Sequence, residues 1–379
     1  MSALNRVLML TCQYMPDVYG GAEKQCQRIS QELSKDHSVT ILTSCQRYAD
    51  SGSRTEGSVS VRRLYSIFPP DLLGRWLPFS FLWFFLVLLW SIKNRKSFNV
   101  IHCHQGKFGA FVGTFMGWIL RKPVLIKVGN SGLHLDLKCL EAKKVIGPLL
   151  AGFVVKHQPV LVAITKQIEK ELREYGLNNV VVIHNSISSE LKVIESRVDL
   201  PSGYINLFYH GRIEKIKDIP LLIEAFSLAN KNKSLILNII GDGAELSASK
   251  AYAEKLGVID SVVFHGKVND VISYINDFDV FVNSSQAEGF SNSLLEALLL
   301  GKVLVSTPVS GANDAIKKGI NGFVSESHET IHIANAILAA LKLHECDSDG
   351  VAEYSKALIA DKFESTVIAN KYRELYAEM

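Results

Sequence analysis

The sequence has 379 residues, of which 47% are apolar and 21% charged, an ordinary globular balance that predicts two domains. Its net charge of +3 is divided unevenly, with +11 in residues 1–186 and −8 in residues 187–379. A basic first half suits an anionic membrane surface or a phosphate-bearing acceptor, or it reflects ordinary variation between domains. Nucleic acid is not an expected partner, because the basic residues are dispersed and no binding motif accompanies them.

The six cysteines are scattered and form no CxxC or CxxH pair, which excludes a zinc site on spacing and fits a reducing cytosol. The first residues lack a basic region followed by an apolar one, so no signal peptide is predicted. We therefore expect a cytoplasmic protein.

Short apolar strands alternate with helical patterns, which predicts parallel sheets with crossover helices. Ala22, Cys26, Ile29 and Leu33 recur on one face of the first predicted helix. The strands predicted in the first half are Arg6–Thr11, Val39–Thr43, Val100–His102, Val124–Val128 and Leu161–Ala163.

The segment Trp76–Ile92 contains no charged residue and has basic residues on both sides. It is shorter than the roughly 20 apolar residues that a spanning helix needs. A helix that is apolar all round is buried in protein or in lipid, and aromatic content with basic flanks favours a membrane interface. Interfacial insertion and a buried helix both remain open.

A second series of strands follows residue 200, after a Ser- and Asn-rich joint at His184–Gly203. Two such series predict two doubly wound domains that face each other. The strands predicted in the second half are Leu207–His210, Leu235–Ile240, Val262–His265, Val280–Ser284 and Val303–Thr307.

Glycine and histidine mark two places in the first half. Gly20 and Gly21 precede the first helix and could place backbone amides against the donor diphosphate or the acceptor, although the spacing is not that of a dinucleotide fold. They are included among the donor-binding candidates. His102 and His104 flank a cysteine at a strand end but offer too few ligands for zinc. We interpret His104 as an acceptor-site candidate and His102 as structural.

Four loops of the second half follow predicted strands, at the sheet edge where ligands of open α/β sheets bind. Arg212 and Lys217 could neutralise a departing diphosphate without a metal. Glu288 and Glu296, before and inside a helix whose N-terminus suits a phosphate, could contact two ends of one ligand. Gly241 and Gly243 could allow close backbone contact with a nucleobase, and His265 and Gly266 mark the fourth loop as a further donor-binding candidate.

The pair Asp277 and Asp279 has the DxD form of metal-using glycosyltransferases. It precedes a strand, away from the expected ligand edge, so it is interpreted as structural. No metal or other cofactor is predicted.

Taken together, these motifs resemble family 4 of the retaining glycosyltransferases over nearly the whole chain. The resemblance implies a GT-B fold with an acceptor domain over 1–186, a nucleotide-sugar domain over 187–361 and a terminal helix over 362–379 that crosses back. It implies that Arg212 and Lys217 hold the donor diphosphate, Glu296 the ribose and Glu288 the transferred sugar. The same resemblance assigns nearby backbone amides to the donor: those of Gly289, Phe290 and Ser291.

Departures from the family pattern concern the acceptor. Members often carry a histidine after the fourth strand of the first domain, whereas here the region Lys127–Gly132 has none and the next histidine is His134. Asn130 and His134 are acceptor-side candidates. The implied acceptor is a glycan or a lipid-linked sugar at the inner face of the cytoplasmic membrane. Two alternatives remain, a nucleotide-sugar 2-epimerase and a catalytically silent sugar-nucleotide-binding subunit of a membrane complex.

Overall fold

The computed structural model describes residues 5–16, 20–70, 77–143, 146–191, 193, 200, 202–231 and 234–379. The chain divides into two compact units, Met1–Ser186 with Ser365–Met379, and Ile187–Glu364. Each unit has one sheet covered by helices, as the alternation of strand and helix patterns predicts. The described residues contain no helix that is both long and apolar enough to cross a membrane.

The sheet of the first unit has the order β3-β4-β2-β1-β5-β6-β7-β8. Only β3 and β4 pair antiparallel among the described strands. Its strands are β1 Arg6–Leu10, β2 Ser38–Cys45, β3 Gly52–Glu56, β4 Val59–Tyr65, β5 Val100–Cys103, β6 Val124–Val128, β7 Val160–Ala163 and β8 Val180–Val182.

Helices connect these strands and cover both faces of the sheet. Those that precede the second unit are α1 Gly21–Leu33, α2 Leu77–Lys93, α3 Phe108–Leu120, α4 Asp136–Glu141, α5 Gly147–His157 and α6 Lys166–Glu174. On one face, Cys26, Ile29 and Leu33 of α1 are buried against the strands. Ala22 was predicted on the same helical face, but it is exposed, whereas Glu23 and Gln25 of the first turns are buried.

The segment with the uncharged sequence forms α2, which has a buried and an exposed side. Trp83, Phe84 and Val87 are buried, and the Phe84 ring contacts Phe111 and Phe115 of α3. The opposite side, here called the outer face of α2, exposes a stripe at helical spacing: Leu82 (52%), Phe85 (54%), Leu89 (65%) and Ile92 (37%). The helix is therefore neither wholly buried nor wholly exposed.

The sheet of the second unit is parallel throughout its described strands, in the order β11-β10-β9-β12-β13-β14. The strands are β9 Ile205–His210, β10 Leu235–Ile240, β11 Val262–Gly266, β12 Val280–Asn283, β13 Val303–Ser306 and β14 Gly322–Val324. Its helices are α7 Ile219–Ala229, α8 Leu246–Lys255, α9 Val271–Ile275, α10 Asn292–Leu299, α11 Ala312–Ala315 and α12 Thr330–Leu358.

The last helix, α13 Ser365–Glu378, belongs to the first unit. Ile368, Ala369, Tyr372 and Tyr376 are buried with α1 against the first sheet. A π-helical turn at Ile359–Phe363 ends the second unit just before it. The chain therefore leaves the first unit after Ser186 and returns to it at Ser365.

Candidate functional site

The predicted donor residues gather where the strand order of the second unit reverses. Strand β9 lies between β10 and β12. From β9 the chain continues to β10 and β11 on one side of it, and then crosses to β12 and β13 on the other side. The loops after β9 and β12 emerge side by side at the carboxyl edge, and backbone and side-chain bonds tie them together. The Gln286 amide donates to Ile216 O at 2.8 Å, and the Ser284 hydroxyl donates to Lys217 O at 2.8 Å. Such a switch point is where ligands of open α/β sheets bind.

Glycine is required where these loops approach one another. Gly211 and Gly241 have φ values of +151° and +140°. A Cβ built on Gly241 would lie 1.9 Å from Gly211 O, and one on Gly243 would lie 2.2 Å from Ile213 O. The missing side chains thus allow one loop to pack on the next. The sequence had suggested only close approach to a ligand.

Lys217 and Glu288 form an ion pair across the two loops. The Lys217 ammonium contacts Glu288 Oε1, and the Ser285 hydroxyl lies 2.9 Å from the same oxygen. Both charged side chains are partly buried, with exposed fractions of 18% and 13%. Ionic hydrogen bonds in such surroundings hold side chains in place better than exposed pairs do. The pair leaves a cation and a carboxylate side by side at the mouth of the site.

Arg212 lies on the same loop but is far more exposed. Its side chain is 70% exposed and donates to Glu214 Oε1 at 2.7 Å. Its backbone is anchored by the Tyr209 hydroxyl, which donates to Arg212 O at 3.0 Å. Burial and the nearby carboxylates of Glu288 and Glu214 raise the pKa of Tyr209, so this hydroxyl keeps its proton. An exposed guanidinium on an anchored backbone can turn toward a diphosphate at little cost.

Helix α10 carries the second carboxylate. The Ser291 hydroxyl accepts from the Leu294 amide at 3.4 Å, which caps the helix. Glu296 is buried one turn inside, with Oε2 3.5 Å from His210 Nε2. Ser293 fixes the same strand end by donating to His210 O at 2.7 Å. His210 was not predicted as a site residue, although its place at the end of β9 could have indicated it.

Two residues predicted to bind the nucleotide sugar, His265 and Phe290, have side chains that contact other residues of the second unit. His265 Nε2 donates to Asn238 Oδ1 at 2.8 Å, and the Tyr274 hydroxyl donates to Nδ1 at 2.6 Å. Burial lowers the pKa of His265, in keeping with a neutral ring. Phe290 is 5% exposed, with its ring 5.2 Å from that of Phe363. A contact of either residue with a donor would therefore use its backbone, as it would at Gly266 and Gly289.

Gly20 and Gly21 lie at the start of α1 in the first unit. Gly20 is the N-cap residue, without a capping side chain, and its carbonyl accepts from the Lys24 amide at 3.1 Å. The buried Glu23 carboxylate lies beside it, where a Cβ on Gly20 would be 2.3 Å from Glu23 Oε2. Glu23 therefore occupies space next to the amides that the sequence assigned to a phosphate.

The three acceptor-side candidates have different surroundings. His104 is buried directly after β5, whereas His134 is exposed. The Asn130 amide donates to Asp136 Oδ1 at 2.6 Å, and the Gly106 and Gly129 amides donate to Asp136 Oδ2 at 3.2 and 3.1 Å. Asn130 thus helps a buried carboxylate to hold two loops. Burial raises the pKa of Asp136, while these hydrogen bonds oppose that shift.

The DxD pair has structural contacts. Asp279 Oδ2 accepts from the Asn206 amide at 2.7 Å, and Oδ1 lies 3.6 Å from His344 Nε2. Asp279 directly precedes β12, at the amino edge of the sheet. In the part of the chain that the structure describes, no three His, Cys, Asp or Glu side chains are grouped to hold a metal. The expectation that no metal takes part stays a prediction.

Two family models cover most of the chain. The model for glycosyltransferase family 4 matches residues 19–191, and that for glycosyl transferases group 1 matches residues 192–357. The chain is also 22% identical to N-acetyl-alpha-D-glucosaminyl L-malate synthase of Bacillus anthracis, with 76% of this chain and 77% of that protein covered. It is 22% identical to alpha-monoglucosyldiacylglycerol synthase of Streptococcus pneumoniae, with 95% and 87% covered.

A solved structure with the same fold is that of HepE from Anabaena in complex with UDP-glucose. It aligns with a TM-score of 0.75 at 17% identity, over 98% of this chain and 99% of that one. An identity this low supports the fold alone. The architecture predicted from the sequence, two Rossmann-like units of the GT-B type, is confirmed.

Proposed function

Because the chain belongs to glycosyltransferase family 4 and has the GT-B fold, we propose that it transfers a sugar from a nucleoside diphosphate to a lipid-linked or polysaccharide acceptor in the synthesis of a surface glycan. The contact between Lys217 and Glu288 at the switch point of the second unit carries this proposal. A cation and a carboxylate held side by side support it, because a leaving phosphate would need the first and sugar hydroxyls could bind the second. The nucleotide sugar bound to HepE and the lipid named for the pneumococcal relative are consistent with donor and acceptor classes of this kind.

In the proposed mechanism, cations stabilise the departing diphosphate. Negative charge grows on the bridging oxygen as the glycosidic bond breaks, and a positively charged group held in place stabilises that charge more than the ground state. Lys217 is held by Glu288, whereas Arg212 can supply two parallel hydrogen bonds from its exposed position. Neither residue requires a metal ion to act.

The two glutamates orient the rest of the donor. Glu296, fixed near His210, accepts hydrogen bonds from the ribose hydroxyls, and Glu288 accepts from the transferred sugar. With no enzymic nucleophile in this assignment, the acceptor attacks from the face that the diphosphate leaves. The anomeric configuration is then retained, as the family resemblance implies.

The acceptor side of the proposal involves a membrane surface. The outer face of α2 exposes four large apolar side chains, and Lys93, Arg95 and Lys96 follow it in exposed positions. Apolar insertion and attraction to anionic lipid would act together there. We place the protein on the cytoplasmic side, attached peripherally and close to a lipid-linked acceptor.

Nucleotide-sugar binding and turnover test the proposal. One of a panel of UDP-, GDP- and ADP-sugars should raise the melting temperature, because a ligand at about 100 times its dissociation constant adds about 2.7 kcal/mol. The same donor, radiolabelled, should pass its sugar to membrane lipid extracts. Release of the C2-epimeric sugar would instead indicate an epimerase, and binding without any turnover would indicate a silent subunit.

Independence from metal is a separate prediction. After exhaustive dialysis against EDTA, transfer should proceed at an unchanged rate, because Lys217 and Arg212 provide the positive charge. The measurement is the initial rate with EDTA and then with added magnesium or manganese. A rate that vanishes with EDTA and returns with either metal would contradict the assignment and direct attention to Asp277 and Asp279.

A further inference from the structure

A buried polar cluster in the first unit has no part in the donor chemistry described above. It consists of Cys26, His102, His104, Lys127 and Tyr372, and is called the lysine cluster below. The His102 ring lies 5.1 Å from that of Tyr372 and 5.8 Å from that of His104. His102 is next to last in β5, His104 directly follows that strand, and Lys127 is next to last in β6. The cluster therefore lies near the carboxyl edge of the sheet, under α1 and α13.

Lys127 is the unusual member, because the residue is only 5% exposed and its side chain has no ion pair or hydrogen bond among the described residues. Burial lowers its pKa to about 8, so the amine is still mostly protonated at pH 7. Holding an ammonium out of water without a partner costs free energy. Packing alone therefore does not explain a lysine inside the apolar strand sequence VLIKV.

The neighbours of Lys127 do not neutralise it. Burial raises the pKa of the Cys26 thiol to about 12 and lowers that of His102 to about 3. Burial also lowers the pKa of His104 and raises that of Tyr372, and the charge of Lys127 itself disfavours protonation of both histidines. At neutral pH the lysine is therefore the one charged member of the cluster.

Several buried polar atoms of the other cluster members have no hydrogen-bond partner within the described residues. They are Nδ1 and Nε2 of His104, Nε2 of His102 and the Tyr372 hydroxyl, whereas His102 Nδ1 pairs with the Tyr376 hydroxyl at 2.6 Å. The backbone of Ala22, in the first turn of α1, raises the pKa of His104, as a carbonyl oxygen facing the ring does, but the contact does not reach hydrogen-bond geometry. Buried polar groups without partners are rare in native proteins and call for a specific explanation.

We propose that Lys127 and His104 bind an anionic group of the acceptor, a carboxylate or a phosphate. The ammonium supplies the charge, and a neutral imidazole supplies one N–H donor. The strand end offers room, since a Cβ built on Gly129 would meet nothing within 4 Å. The assignment of the anion to the acceptor rests on the proposed function, in which Arg212 and Lys217 of the second unit bind the donor diphosphate. The binding of an anion at Lys127 does not depend on the proposed function.

Titration calorimetry on the full chain tests the site with inorganic phosphate and succinate as probes and glycerol as the neutral control. Phosphate alone binding would indicate a phosphorylated acceptor, and succinate alone a carboxylate. Lys127→Met should weaken binding of the preferred anion at least tenfold and should leave the melting temperature equal or higher, because it removes an unpaired buried charge. Lys122→Met is the matched control, since Lys122 precedes the same strand at its other end and donates to Phe98 O.

A measurement on the unaltered protein guards against a variant that fails to fold. Competitive acetylation at pH 8 should label Lys127, and saturating anion should slow its labelling at least fivefold but not that of Lys122. Undiminished anion binding by Lys127→Met, or labelling of Lys127 that neither anion changes, would overturn the proposal. Donor binding is measured on the same samples, so a failed donor assignment would show there while anion binding persists.

Discussion

Replacement of Arg212 by alanine is expected to lower kcat by about 100- to 1000-fold, the usual cost of removing one hydrogen-bond donor to an oxygen that becomes negative in the transition state. The side chain is 70% exposed and bonds only to Glu214 among the contacts recorded for it, so stability should change by less than about 0.5 kcal/mol. The loss should therefore lie in turnover. Single-turnover rates with a saturating donor separate this effect from weaker binding.

Lys215→Ala is the matched control for this experiment. Lys215 lies three residues after Arg212 on the same loop, is also exposed and has the same charge. If the general positive charge of the loop were sufficient, both alanine variants would lose activity alike. Activity of Arg212→Ala within about threefold of the unaltered enzyme would remove this residue from the mechanism.

The strands were predictable because the buried ones are short and continuously apolar. All ten predicted strands are present, and none of their boundaries differs by more than two residues. Four described strands were missed: β3 and β14 lack this pattern, and β8, Val180–Val182, is apolar but has only three residues. Strand β3, Gly52–Glu56, is a polar edge strand, and β14, Gly322–Val324, has three residues and starts with glycine. Strand β4 was missed although Val59, Val61 and Arg63 alternate inward, which is a readable signal.

The positions of the candidate site residues were easier to predict than the contacts and role of each side chain. Every donor motif follows a strand, so sequence order alone places it at the carboxyl edge. Which atoms remain free is decided by contacts distant in sequence, such as those of His265 with Asn238 and Tyr274. The tertiary fold likewise determines that Arg212 is exposed and that Lys217 forms an ion pair with Glu288.

Helix α2 shows why periodicity failed on the question of membrane contact. A pattern that is apolar on every side does not reveal which side faces outward. From sequence alone, the aromatic residues Phe81, Trp83 and Phe85 are the natural targets for mutation. In the structure Trp83 is completely buried, whereas the exposed fraction of Phe85 is 54%. Changing all three would thus mix a surface effect with the collapse of a core.

The structure identifies variants that separate these two effects. Serine at Leu82, Phe85 and Leu89 together should abolish cosedimentation with anionic liposomes, because each side chain contributes up to about 1.5–3 kcal/mol when fully buried in lipid. The melting temperature should change little, since all three are more than half exposed. Trp83→Ser should instead cost about 3–5 kcal/mol of stability through the cavity it leaves.

Leu133→Ser is the matched control, because Leu133 is 89% exposed in the same unit but lies outside α2. It should bind liposomes as the unaltered protein does. Binding of the unaltered protein should weaken with salt without vanishing, since salt screens only the attraction of the basic residues Lys93, Arg95 and Lys96. Retention of liposome binding by the triple serine variant would show that the outer face of α2 does not insert. Failure of the unaltered protein to sediment at low salt would reject membrane attachment itself, while donor binding would still test the enzymatic proposal separately.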